Sequence, residues 1–63
     1  MIGKNIKHIR ISLKLTQEEF GDKIGVTKNA VSRYEHDKDV PRDAVKIKIA
    51  KLSGKSVESI FYS

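Results

Sequence analysis

Lys28, Asn29, Ser32, Arg33 and His36 are spaced so that, at about 100° per residue, all five fall on one arc of a helix, while Ala30, Val31 and Tyr34 fall on the opposite arc. The outer arc holds cations and neutral hydrogen-bonding groups and no carboxylate, and Glu35 lies at its boundary, closer to the inner side. A merely solvated helix mixes both signs of charge on its outer face. These residue types suit the edges of base pairs: Asn29 can bond bidentately to adenine, Arg33 or Lys28 to guanine, and Ser32 to several base edges. Taken alone the helix fits solvation as well as base contact. Its setting separates the two.

In LTQEEF, residues 15–20, Thr16 and Glu19 match a capping box, and Leu15 and Phe20 occupy hydrophobic-staple positions. The helix begun there carries Phe20 and Ile24 on one face and runs to Gly25, whose lack of a Cβ suits a left-handed helix end. Thr27 caps the next helix, with Val26 and Val31 as a second staple pair. Two short helices joined by a tight glycine turn form a helix-turn-helix, whose second helix enters the DNA major groove. Gly21 costs its helix about 1 kcal/mol relative to alanine, as expected where a side chain would strike the following helix.

Ahead of this unit, Ile2, Ile6, Ile9 and Leu13 predict an amphipathic helix over residues 3–13. After it, HDKDVP, residues 36–41, is a loop, a fourth helix spans 43–52 before Ser53-Gly54, and Ser56 caps a short fifth helix. The expectation is an all-α, five-helix domain over residues 1–63, with the helix-turn-helix at about 17–36.

With 63 residues, 13 Lys plus Arg against 8 Asp plus Glu, and no cysteine, the chain is one small basic domain without a disulfide framework or thiolate metal site. The formal charge of +5 fits a polyanionic partner. Lys4, Lys7, His8 and Arg10 interrupt the N-terminal apolar residues, and nothing approaches the ~20 apolar residues of a membrane span, so a cytoplasmic protein with no membrane partner is expected. His8 and His36 have no carboxylate or cysteine cluster at ligand spacing, and Glu18 and Glu19 point to different parts of their helix. No metal, cofactor or enzymatic activity is expected. Tyr34 is read as core-facing, and Lys46, Lys48 and Lys51 as a solvated face.

LTQEEFGDKIGVTKNAVSRYE, residues 15–35, resembles the helix-turn-helix of the lambda-repressor and Cro-like, or Xre, family of bacterial and phage regulators. Thr16-Gln17, Gly21, Gly25, Val31 and the run from Ser32 to Glu35 stand at that family's spacing, and IAKLSGK and VESIF are similar to its fourth and fifth helices. The resemblance implies base reading by Lys28, Asn29, Ser32 and Arg33, and phosphate contact by Gln17, Thr27, His36 and Lys38. It also implies an internal salt bridge between Arg10 and Glu35. Lys14 and Asp37 stand where the family often has glycine, so both turns are expected to be strained or differently shaped.

The C-terminal Val57, Ile60, Phe61 and Tyr62 hold more apolar surface than a last helix needs. They are expected to provide a dimer interface, with Ile60 and Phe61 also covering the core. The implied function is a DNA-binding transcriptional regulator, a repressor bound as a homodimer to a palindromic operator. The alternative is a protein-interaction module, for a toxin or an antirepressor, with DNA contact secondary.

Overall fold

A computed structural model describes residues 2–62; Met1 and Ser63, the ends of the expected domain, lie outside the described residues. Among the described residues five helices follow one another: α1 (Ile2–Ser12), α2 (Gln17–Ile24), α3 (Lys28–Glu35), α4 (Asp43–Ser53) and α5 (Val57–Phe61). The all-α, five-helix expectation holds.

Local chemistry accounts for most of the boundaries. Glu19 N–H donates to Thr16 Oγ1 at 3.1 Å and Thr16 N–H to Glu19 Oε1 at 2.9 Å, a complete capping box. Thr27 accepts from the Ala30 N–H and Ser56 from the Ser59 N–H, each at 3.1 Å. Gly25, with φ 76°, and Gly54, with φ 72°, close α2 and α4 in the left-handed region. Lys14 and Asp37 also take positive φ, 60° and 57°, so the two turns keep a left-handed geometry that glycine would adopt without strain. α1 ends at Ser12, one residue before the expected boundary, and Leu13 is 36% exposed in the turn.

The core joins Ile6 and Ile9 of α1, Phe20 and Ile24 of α2, Val31 of α3, Val45, Ile49 and Ala50 of α4, and Ile60 and Phe61 of α5. Leu15, Val26, Tyr34 and Val57 pack against it, half-buried. Two glycines let backbones close on one another. A Cβ at Gly21 would stand 2.6 Å from the Val26 carbonyl oxygen, so the obstacle is the turn that enters α3, not the body of that helix. A Cβ at Gly3 would stand 2.6 Å from the Glu35 carbonyl oxygen and 2.7 Å from that of Tyr34, which sets α1 against the C-terminal end of α3.

One expectation is corrected. Lys46 is not on a solvated face: it is 9% exposed, and its Nζ donates to the Tyr62 hydroxyl at 2.7 Å and stands 5.5 Å from the Phe61 ring centroid. Its methylene stem covers apolar surface while the ammonium finds a polar partner and an aromatic ring. Ile60 and Phe61, 3% and 6% exposed, belong to the core, as expected of them. Val57 is half-buried, which leaves Tyr62, 65% exposed, as the accessible member of the expected dimer set.

Candidate nucleic-acid interface

α3 is divided by direction. Val31 is fully buried, and Ala30 and Tyr34 are half-buried toward the body of the protein. Lys28, Asn29, Arg33 and His36 are exposed, and Ser32, on the same arc, is half-buried. The helix begins at the Thr27 cap, two residues after the left-handed Gly25, so the α2–α3 angle is fixed by a turn of very few residues. Lys48 of α4 stands beside this turn, its Nζ 3.3 Å from where a Gly25 Cβ would lie. That position suits a cation, because the C-terminal end of α2 carries partial negative charge. Sequence periodicity gave no sign of it.

Glu35 is turned inward. Its carboxylate accepts from Arg10 Nε at 2.7 Å and Nη2 at 3.3 Å, while Arg10 Nη1 donates to the Leu15 carbonyl at 3.0 Å. Gln17 Nε2 adds a donor to the same carboxylate at 3.2 Å. The Glu35 side chain is 3% exposed and that of Arg10 14%. One carboxylate thus links α1, the first turn of α2 and the last turn of α3, and every buried side-chain polar atom among the described residues has a partner. Gln17 still has one amide N–H to offer, since its NH₂ group carries two.

The loop after α3 completes the site. Asp37 directs its carboxylate to α1, accepting from the Gly3 N–H at 2.9 Å, where the helix N-terminus favours negative charge. His36 Nδ1 donates to the Ser32 carbonyl at 2.8 Å, which leaves Nε2 pointing elsewhere. Lys38 is exposed. Asp39 is a feature the helical arc did not reveal: its Oδ2 accepts from Arg33 Nε at 2.6 Å, with both side chains 53% exposed. Its hydrogen bond, then its charge, raises the already high pKa of Arg33. The outer face of α3 has no carboxylate of its own, but the loop brings one to it.

Arg10, Gln17 and Glu35 are therefore brought together. Lys28, Asn29, Ser32 and Arg33 share one face, with Thr27 at its start and His36 and Lys38 at its end. Among the described residues, no group of three or more His, Cys, Asp or Glu side chains is arranged to hold a metal, and no helix is long and apolar enough to cross a membrane.

A family model described as helix-turn-helix matches residues 6–60, most of the chain. The chain is also similar to antitoxin PezA of Streptococcus pneumoniae serotype 4 (strain ATCC BAA-334 / TIGR4), 53% identical over 36 residues. That stretch is 57% of this chain and 23% of the relative, so the chain spans less than a quarter of that protein's length.

Proposed function

Because the chain belongs to the helix-turn-helix family, of the Xre and lambda-repressor-like type, we propose that residues 1–63 form one domain that reads a specific DNA sequence and represses transcription as a dimer on a palindromic operator. The observation that carries this reading is the division of α3: its only carboxylate is buried against Arg10, and Lys28, Asn29, Ser32 and Arg33 face outward. In the major groove, Asn29 pairs with adenine and Arg33 or Lys28 with guanine. Gln17, Thr27, His36 and Lys38 meet the flanking phosphates and set the register, as phosphate contacts commonly do. Two protomers place their recognition helices about 34 Å apart, one turn of DNA.

Selection of bound sequences from a random duplex pool tests the reading. The expected product is an enriched motif with two half-sites one turn apart, whose binding weakens steeply with salt, by a slope of about 0.9 per neutralised phosphate. A pool that yields no motif overturns the sequence-reading claim. Sedimentation that finds one protomer per selected duplex overturns the dimer.

One observation favours a second reading, as a protein-interaction module: the similar pneumococcal protein is named an antitoxin. In that case DNA contact is secondary, and binding to duplex DNA is absent or insensitive to salt. The outer arc of α3 argues against it, since an interface helix presents an apolar patch there, and this one presents Lys28, Asn29, Ser32 and Arg33.

A further inference from the structure

The loop that follows α3 returns to the helix it leaves. Asp37, with φ 57°, reverses the chain. The N–H groups of Lys38 and Asp39 then both donate to the Arg33 carbonyl oxygen, at 2.9 and 3.4 Å. The Asp39 side chain closes on the same residue, accepting from Arg33 Nε at 2.6 Å. Arg33 is therefore held by one loop through both its backbone and its side chain.

That bond uses the Nε–H, one of five guanidinium donors in a rigid fork. The Nη groups, which a bidentate contact presents to O6 and N7 of guanine, are not the ones Asp39 takes. Fixing Nε fixes the plane of the whole fork, so less freedom is lost when a base edge docks. The same carboxylate carries a negative charge at the end of a face that meets phosphates, where it opposes binding that is not repaid by a base contact.

We propose that Asp39 is a specificity-determining positioning residue: it holds the Arg33 guanidinium for one guanine edge and keeps that charge from serving as a mobile phosphate contact. The inference rests on the reading of α3 as a base-reading helix, and it assigns to Asp39 a part that the spacing of α3 does not contain. Affinity and discrimination are then opposed. Removing the carboxylate strengthens binding to any DNA and weakens the choice of sequence.

The test uses wild-type protein, Asp39→Asn, Arg33→Ala and the double variant. Each is titrated against the selected duplex, its single-base-pair variants and an unrelated duplex, over a range of salt. Arg33→Ala is expected to flatten the preference at one base pair of each half-site. Asp39→Asn is expected to weaken preference at that same pair by about tenfold, within the discrimination a bidentate contact supplies, and to leave the other positions unchanged. It should also bind the unrelated duplex severalfold more tightly, with a salt slope steeper by about 0.9 as Arg33 gains a phosphate. In the Arg33→Ala background, Asp39→Asn should alter no base preference.

Both side chains are half exposed, so the variants are expected to fold, and thermal melts check that they do. If Asp39→Asn keeps the preference at the Arg33 position, or flattens every position alike, the proposal is overturned while the DNA-reading function stands. The same holds if Arg33→Ala flattens no position. If wild-type protein selects no sequence at all, the proposal and the function it rests on fall together.

Discussion

Two arginine–carboxylate pairs in this small domain have nearly the same length and opposite surroundings. Arg10 and Glu35 meet at 2.7 Å with side chains 14% and 3% exposed; Arg33 and Asp39 meet at 2.6 Å with both 53% exposed. Distance therefore does not separate them, but solvent does. A pair taken out of water is costly to break, because either partner left alone is an unpaired buried charge. A pair in water gains little net stability, since hydration competes for both ions and two side chains must be ordered. The inner pair fixes where α3 sits, and the outer pair acts on what α3 offers.

The largest effect should follow from breaking the inner pair. Glu35→Ala leaves the Arg10 guanidinium buried without its carboxylate and removes the acceptor of Gln17, for an expected loss of about 3–5 kcal/mol. In a domain of this size each kcal/mol shifts the melting temperature by about 4–8 °C, so the variant should be largely unfolded near physiological temperature. The double variant Arg10→Met with Glu35→Leu removes both charges together and should recover much of that loss, since apolar replacements of buried pairs are often neutral or better. If Glu35→Ala or Arg10→Met melts with the parent, the inner pair holds nothing.

Next in size is the contact that the other end of α1 makes with the same end of α3. Gly3→Ala gains helix propensity of up to about 1 kcal/mol, but its Cβ meets two backbone carbonyls and the Asp37 carboxylate at 2.6–2.9 Å. Backbone cannot rotate away as a side chain can, so overpacking of about 1–3 kcal/mol should outweigh the gain, with the loss read in a denaturant midpoint. A stabilised Gly3→Ala would mean that α1 and α3 separate easily. Tyr62→Phe should cost less, about 1 kcal/mol, by taking the hydroxyl from Lys46 Nζ while leaving the ring. An unchanged melt would show that water replaces the hydroxyl without loss.

What could be read from the sequence follows the range of each interaction. The caps at Thr16, Thr27 and Ser56 and the left-handed ends at Gly25 and Gly54 act over a few residues, and the helices lie where these signals put them. The division of α3 was visible because one helix carries both faces. Lys46 was misread because its partner Tyr62 is 16 residues away and a lysine stem can be buried while its ammonium is paired. Ile60 and Phe61 cover the core as their spacing led one to expect, while the sequence alone does not say how far Val57 and Tyr62 are exposed, because all four look alike as apolar residues and only packing separates them. Asp37 was expected to strain a turn, and it does take positive φ, but its bond to Gly3 spans 34 residues and leaves no local trace. Asp39 escaped notice because periodicity stops where α3 stops.

The smallest effect on stability should be the one with the most to say about the outer pair. Asp39→Asn removes an ion pair that is half exposed on both sides, and such pairs contribute little net stability. The loop need not come loose, because the backbone N–H groups of Lys38 and Asp39 still donate to the Arg33 carbonyl. The thermal midpoint should therefore move by a few degrees at most, and by less in high salt, where exposed charges are screened. A drop comparable to that of Glu35→Ala would show that Asp39 holds the fold as Glu35 does. The two pairs would then differ in exposure alone and not in work.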